Sequence, residues 1–370
     1  METFPLATST HSDPLAACRE CLAQLGPEPG NLGFLYVTDT HAAHLEAVLH
    51  RARRDSSVTH WVGTVGLGIC ASGREFYEEP AMVMMVARLP EASFRVFHGI
   101  RSGFDEFLAR DGRWMHETPG SFALVHADPE NPATPQLITR LADELPGGFL
   151  AGGLSSSRGP LPQLADNVVQ GGLSGVMFGP EVQLLTAHTQ GCTPIGPRRV
   201  ITEAQRNVAV TIDGRPALEV FYEDIGEVLA RDLRRAAGYI FAGFPIHGSD
   251  TGDYLVRNLV GVDPDHQLLA IGDLLHSGQE IMFCRRDGNT AREDLLRMLD
   301  DLEQRLPRPP RGAVYISCLG RGRHLFGEDS AELKLVRERL GDCPLAGFYA
   351  NGEIFHNRLY GYTGVLTLFL

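Results

Sequence analysis

The chain has 370 residues, and its 33 basic against 46 acidic side chains give a formal charge of −13, which argues against a nonspecific nucleic-acid surface. Its longest apolar run, Ala81 to Ala87, is far short of the ~20 residues of a membrane span, and Met1-Glu2-Thr3-Phe4 carries neither the basic nor the apolar region of a secretory leader. A cytoplasmic protein with no nucleic-acid partner and no membrane insertion is expected, and its 7 unevenly spaced cysteines do not make a disulfide framework.

Residues 12 to 25 form an amphipathic helical pattern ended by Gly26-Pro27-Glu28-Pro29-Gly30. The lone Cys18-Arg19-Glu20-Cys21 on it reads as helix positions, since a structural zinc site needs two further ligands at matching spacing. Leu32 to Val37 are extended, and Asp39-Thr40 cap a helix with Leu45, Val48, Leu49 and Ala52 on one face. His41-Ala42-Ala43-His44 reads as its start and Arg51-Ala52-Arg53-Arg54 as its solvated face. Phe122 to His126 are again extended, Thr134-Pro135 open a helix with Leu137, Ile138, Leu141 and Leu145 inward, and Gly147-Gly148 end it. Gly153-Leu154-Ser155-Ser156-Ser157 and Gly172-Leu173-Ser174-Gly175 both miss the spacing of a hydrolase nucleophile turn.

Val208 to Ile212 and Ala217 to Val220 flank Asp213-Gly214, a hairpin signal because both turn residues tolerate positive φ. The boundary between two halves is expected there. Arg231, Arg234 and Arg235 lie on a helical pattern and read as a solvated face. Glu293 to Leu306 form a helix, Pro307 to Pro310 a rigid connector, and Ala313 to Ser317 a buried strand. Asp329-Ser330-Ala331-Glu332 resembles a capping box before Leu333, Val336 and Leu340.

A repeat runs through these elements. The glycine-broken segments Trp61 to Gly66, Leu150 to Leu154, Phe241 to Phe244 and Leu345 to Phe348 place Gly63, Gly152, Gly243 and Gly347 at intervals of 89, 91 and 104 residues. A period this long is a domain-sized duplication rather than a solenoid. With strands and helices alternating, the fold class is α/β to α+β: internally duplicated mixed β-sheets packed with helices, in pseudosymmetric halves. The third copy is worn, with Phe244-Pro245-Ile246-His247 where a second glycine stands elsewhere.

Three stretches carry candidate chemistry. Gly191-Cys192-Thr193-Pro194-Ile195-Gly196-Pro197 locks a turn around a cysteine. Cys318-Leu319-Gly320-Arg321-Gly322-Arg323-His324-Leu325-Phe326-Gly327 follows a strand, where glycines admit a ligand to the backbone and an arginine grips a carboxylate or phosphate. It is neither the dinucleotide fingerprint nor a P-loop. The third, Gly347-Phe348-Tyr349-Ala350-Asn351-Gly352-Glu353-Ile354, ends in a carboxylate and is echoed by Gly73-Arg74-Glu75. Cys343-Pro344 is a weak haem-thiolate signal.

These stretches, in this order and with the Asp213-to-Ala217 hairpin between the first two, resemble the FIST sensory domain family. The resemblance implies an N-terminal helical extension at 1–30, a FIST N-like domain at 31–215 and a FIST C-like domain at 216–370. It further implies a cytoplasmic module that binds a small ligand such as an amino acid, while some members are haem-binding sensors of nitric oxide. No kinase, cyclase or methyl-accepting segment fits in the remaining residues, so the expected output is a separate signalling protein.

The ligand-binding set read from the sequence is Cys192, Cys318, Gly320, Arg321, Gly322, Asn351, Gly352 and Glu353. Arg321 is expected to hold a ligand carboxylate, Asn351 and Glu353 its ammonium end, with both cysteines lining the pocket. No metal and no cofactor are expected. The alternatives are a haem sensor using a histidine or Cys343, and an enzyme with Cys318 as nucleophile and His324 as base.

Overall fold

The computed structural model describes residues 2–27, 30–226, 238–246 and 254–370. Arg231, Arg234, Arg235 and His247 lie outside the described residues. Two compact units are present, one of Met1–Gln190 with Arg292–Leu370 and one of Gly191–Ala291.

The first unit repeats one order of elements three times. Copy one has an edge strand β1 (Leu6–Ser9), helix α1 (Pro14–Leu25), β2 (Leu32–Thr38), α2 (Leu45–Asp55), β3 (His60–Gly66), a hairpin of β4 (Gly68–Ala71) and β5 (Arg74–Tyr77), and a closing strand β6 (Met82–Ala87). Copy two follows as β7 (Phe94–Ile100), α3 (Asp105–Glu117), β8 (Phe122–Ala127), α4 (Thr134–Glu144), β9 (Phe149–Leu154), hairpin β10 (Gln163–Ala165) and β11 (Asn167–Val169), and β12 (Leu173–Phe178). Copy three opens with β13 (Leu184–Gln190), and there the chain enters the second unit.

That unit contains β14 (Cys192–Pro194), β15 (Arg199–Gln205), β16 (Val208–Ile212), β17 (Arg215–Pro216), α5 (Ala217–Ile225), β18 (Ile240–Pro245), β19 (Tyr254–Asp263), β20 (Leu268–Ile271) and β21 (Glu280–Arg286). Copy three then resumes as α6 (Gly288–Arg305), β22 (Gly312–Cys318), the short α7 (Arg323–Phe326), α8 (Ala331–Leu340), β23 (Leu345–Ala350), hairpin β24 (Glu353–His356) and β25 (Arg358–Tyr360), and β26 (Thr363–Phe369).

In every copy the strand before the second helix pairs in parallel with the strand after it and antiparallel with the closing strand: β2 with β3 and β6, β8 with β9 and β12, β22 with β23 and β26. The hairpins are exchanged. β10–β11 extends the sheet of copy one at β3, β24–β25 extends that of copy two at β9, and β4–β5 extends that of copy three at β23. Because successive strand residues face opposite sides, each sheet has an inner and an outer apolar face. The inner faces share one core, including Phe34, Tyr36, Leu124, Val176, Ile316 and Phe348. Outer faces are covered by each copy's own helices, as where Leu295, Met298 and Leu299 of α6 and Val336 of α8 meet Tyr315 and Leu345.

Three of the four glycines that mark the repeat share one physical cause. Gly63 stands opposite Leu35, Gly152 opposite Val125 and Gly347 opposite Tyr315 in the parallel pairs, and a Cβ at each would overlap the carbonyl oxygen of that residue. Gly243 differs. It lies on β18, antiparallel to both β19 and β21, and a Cβ there would meet the side chains of Cys284 and Met282. The expected third copy is therefore a strand of the second unit, and copy three is the Gly347 segment. Without residues 191–291, Gly152 and Gly347 are 94 residues apart, close to the 89 between Gly63 and Gly152.

In the second unit β21, β15, β16, β20, β19 and β18 pair in sequence, and β18 returns to β21, so the described strands close into a ring. Its core includes Leu218, Phe221 and Ile225 of α5. The Asp213-Gly214 turn forms as expected, with φ of 51° and 74°, but the strand expected after it is only two residues long. Ala217 to Val220 are helical because Leu218, Phe221 and Ile225 fall on one helical face that the strands cover.

Gly152→Ala and Gly347→Ala are expected to lower stability by about 1–3 kcal/mol or more. Gly243→Ala, facing movable side chains, should cost less. Urea denaturation of the three variants checks this order.

Candidate functional site

The parallel pair β22–β23 leaves two carboxyl strand ends side by side, the position where open α/β sheets bind ligands. The Cys318-to-Gly327 loop starts there, and one buried acid organises it. Glu332, on the first turn of α8, is fully buried. Its Oε1 accepts from the Tyr315 hydroxyl at 2.7 Å and from Nε of Arg321 at 2.8 Å, with Nη2 also 2.8 Å away; its Oε2 accepts from the Gly322 N–H at 2.8 Å. The Ser317 hydroxyl lies 3.3 Å from both oxygens.

Arg321 is thus turned inward. It is fully buried, its guanidinium lies 5.0 Å from the centre of the Phe326 ring, and Nη1 has no hydrogen-bond partner among the described residues. The sequence placed this side chain free in a cleft. The structure makes it the anchor of its own loop, because a buried guanidinium needs a buried carboxylate. Nor does Asp329-to-Glu332 form a capping box: Ser330 has a φ of 57° and its hydroxyl accepts from the Glu75 N–H at 2.9 Å, leaving Glu332 to the loop.

Hairpin β4–β5 brings Glu75 and Tyr77 to the same place. Glu75 accepts from the Arg323 N–H at 3.1 Å, and Arg323 pairs with Glu78 at 3.1 Å while covering the Tyr77 ring at 4.7 Å. Tyr77 in turn packs on Tyr349 at 4.7 Å. Gly322 has a φ of 51° and a Cβ there would overlap the Tyr77 hydroxyl, so only glycine fits. Burial, then the Glu332 charge, pushes the Glu75 carboxyl up to about 7.

Glu353 opens β24 and is fully buried. Its Oε2 accepts from the N–H and hydroxyl of Thr363 at 3.0 and 2.8 Å, whereas Oε1 has no N–H or O–H partner among the described residues. The Cys318 thiol faces the same carboxyl. Burial pushes Glu353 up to about 8, opposed by Thr363, Arg321 and Cys318. Cys318 is itself pushed well above the ordinary thiol range by burial, then by Glu353, and the Gly320 N–H lies 3.5 Å from its sulfur.

Around these strand ends the structure gathers Cys318, Gly320, Arg321, Gly322, Asn351, Gly352 and Glu353; Asn351 is exposed and donates its N–H to Leu154 at 3.1 Å. Cys192 belongs to the second unit, buried on β14 with its carbonyl accepting from the Tyr254 hydroxyl at 2.6 Å. His324 is exposed, its ring edge-on to Tyr77 at 5.9 Å. Cys343 is buried in the α6–α8 layer with its sulfur 3.6 Å from the Pro344 carbonyl. Ser155 and Ser156 are buried and bonded, to Thr64 and to the Tyr349 carbonyl, each at 2.6 Å. Sequence reasoning missed Glu332, Tyr77, Tyr349 and Thr363. Glu332 was the detectable one, since it lies on the helix face of Leu335 and Val336, where an acid must find a buried partner.

A mixed α/β unit with glycine-rich loops at its strand ends defines the class, and comparison with known proteins gives the family. Residues 31–215 match the FIST N domain and 217–356 the FIST C domain, and the chain belongs to the FIST family of signal-transduction sensory domains. The junction between the two matches falls at β17, inside the second compact unit. An uncharacterized protein of Mycobacterium tuberculosis is 30% identical, with the match covering 100% of this chain and 98% of that protein. One of Mycobacterium bovis is 29% identical, with the match covering 94% and 92%. Among the described residues no helix is long and apolar enough to cross a membrane.

Arg321→Ala strands Glu332 as a buried charge and is expected to cost about 3–5 kcal/mol of stability. The double variant Arg321→Met with Glu332→Gln should cost less than the sum of its single changes, a double-mutant cycle in urea being the measurement.

The carboxyl groups of Glu75 and Glu353 titrate above their ordinary value of 4.5 in the folded protein, which therefore holds more protons than the unfolded chain. Their contribution to stability is full below about 4.5 and is lost as pH rises to about 8. Thermal melts across that window should show a fall in Tm that Glu353→Gln reduces.

Proposed function

We propose that this chain is a non-enzymatic sensory module that binds a small amine-bearing metabolite, an amino acid or a related compound, and passes the signal to a separate output protein. Its ligand site is the rim made by Cys318, Gly320 and Asn351 to Glu353. One observation carries the reading: Glu353 is fully buried at the carboxyl end of a parallel pair, with one oxygen held by Thr363 and the other without an N–H or O–H partner among the described residues. A buried polar atom left unpaired costs about 1–3 kcal/mol. A ligand that donates to it recovers that cost, and an ammonium group adds charge.

The position also suits signalling. Thr363 begins β26 in the sheet of copy three, whereas β24 pairs with β9 in the sheet of copy two. Glu353 therefore sits where the exchanged hairpin leaves one sheet for another, and a change in its charge acts on that joint.

The enzyme reading is weaker. A nucleophilic cysteine needs a lowered pKa or an adjacent base, whereas the Cys318 thiol is raised by burial and by its carboxyl neighbour. The binding reading requires neither haem nor metal, and Cys343 is packed among apolar residues rather than beside a cleft.

A thermal-shift screen of amino acids, amines, organic acids and nucleotides tests the proposal. A ligand at ~100 times its dissociation constant adds ~2.7 kcal/mol of stability, and Glu353→Gln, nearly isosteric, should abolish the shift without unfolding the protein. A shift that Glu353→Gln leaves intact places the site elsewhere.

A further inference from the structure

A sensory module with a separate output protein, the reading above on which this step rests, needs a docking surface connected to its ligand site. Strand β13 leads from one to the other. Its last residue, Gln190, is paired with Thr363, which holds Glu353 through its N–H and hydroxyl. Its first, Leu184, lies about 20 Å back along the strand at the rise of an extended chain. There it borders a cleft of about 520 Å3 whose wall includes Phe122, Phe149 and Phe355.

β13 is an edge strand, paired with β26 alone. The Leu370 N–H donates to the Gln183 carbonyl at 3.0 Å in the same register, so Leu185, Ala187 and Thr189 exchange bonds with β26 while the backbone groups of Leu184 and Thr186 point outward. Gln190 has the same phase as these two, and its N–H donates outward to Asp294 of α6 at 2.7 Å. The corresponding strands of the other copies are blunted by the helix that follows them. Gln24 of α1 takes both backbone groups of Thr8 on β1, at 3.2 and 2.8 Å, and Arg110 of α3 donates to the His98 carbonyl on β7 at 3.2 Å. On β13 the helix reaches Thr189 and Gln190. Leu184 and Thr186 have no hydrogen-bond partner on their outward side among the described residues, and an open edge is a template for another chain.

Donors and acceptors at every second residue match an extended backbone rather than a small molecule. The neighbouring wall is apolar: Phe149 lies 5.9 Å from Phe122 and 5.1 Å from Phe355, and all three rings are only half-buried. The charge at the Gln183 end is positive. Arg308 donates to the Gln183 side chain at 2.9 Å, pairs with no carboxylate among the described residues, and has a buried Nε without a partner. Arg305 at the cleft pairs with half-exposed Asp301 at 3.1 Å, a contact worth little. A cleft of this size takes one extended segment, whereas the β13 of a second copy would bring its own β26 in with it.

We infer that β13 receives, by strand addition in this cleft, an extended segment of the output protein that carries an apolar side chain for the phenylalanine wall and an acidic residue for Arg305 and Arg308. Phe355 links the two sites. It stands two residues beyond Glu353 on β24, so both side chains leave the same face of the strand, and a ligand that displaces Glu353 displaces the wall of the cleft.

Fluorescence anisotropy on the full chain tests this with labelled peptides that alternate threonine with valine or phenylalanine and end in either aspartates or arginines. The acidic peptides should bind at least tenfold more tightly than the basic ones. N-methylation of alternate backbone amides should abolish binding in one register and spare it in the other, a comparison made on the parent protein. Thr186→Pro removes an outward N–H that β26 does not use and should weaken the acidic peptides tenfold or more with the melting temperature little changed. Arg308→Glu should narrow or reverse the preference for acidic peptides. Equal binding of acidic and basic peptides overturns the charge assignment, and binding that survives N-methylation in both registers overturns strand addition. Failure of every peptide overturns the docking edge, while the thermal shift that Glu353→Gln abolishes still reports ligand binding separately. A peptide-free dimer that Thr186→Pro makes monomeric gives the edge to a second copy and overturns the inference.

Discussion

The constraint on which the first unit depends is the close approach of a parallel strand pair, made three times. Gly63, Gly152 and Gly347 each face a neighbouring carbonyl that would overlap a Cβ, so β3, β9 and β23 can lie against β2, β8 and β22 only with glycine at these positions. The hairpin exchange builds on that approach. Each sheet ends on a hairpin supplied by another copy, so no copy contains its full complement of strands. At the centre Tyr36 of copy one donates to or accepts from His126 of copy two at 3.2 Å and stacks on Phe348 of copy three at 5.4 Å. Burial holds His126 neutral, its pKa pushed down to about 3. Each sheet's edge at β3, β9 or β23 is thereby covered by a hairpin of another copy.

The same exchange builds the candidate site. Glu75 and Tyr77 come from the copy-one hairpin, Arg321 and Glu332 from the loop and helix of copy three, and Glu353 from the hairpin that copy three gives to copy two. Glu75 and Glu332 come close enough to act on each other through strand pairing rather than sequence proximity, and Arg321, paired with Glu332, also acts on Glu353. Among them Glu332 is compensated and serves the loop, while Glu353 has one oxygen held by Thr363 and the other without an N–H or O–H partner among the described residues, with the Cys318 thiol facing the carboxyl. A buried charge paired with an opposite charge holds a fold, whereas a buried carboxyl with fewer partners favours its protonated form.

Much was legible in the sequence because local patterns report local structure. The helix around Leu45 to Ala52, the helix opened by Thr134-Pro135 and the buried strand from Ala313 appear where apolar spacing placed them, but the caps differ: Asp39 to His44 form a 3-10 turn and His44, not Asp39-Thr40, precedes the first helix, while Ala133 rather than Thr134 is the N-cap of the second. Three of the four glycine-broken segments revealed the duplication, since Gly63, Gly152 and Gly347 answer one steric demand repeated in each copy. The chain alone also set the composition that argues against a nucleic-acid surface, and the family.

What only the tertiary structure decided is everything that depends on partners distant in sequence. It showed that the Gly243 segment belongs to an inserted ring of strands, since antiparallel neighbours and a parallel carbonyl contact both favour glycine and look alike in one dimension. It turned Arg321 inward, since burial of a guanidinium is decided by whether an acid on another element can reach it, and Glu332 can. It assigned Cys192 and Cys318 to different compact units, and it left one oxygen of Glu353 without an N–H or O–H partner among the described residues, a property that no residue carries in its own identity.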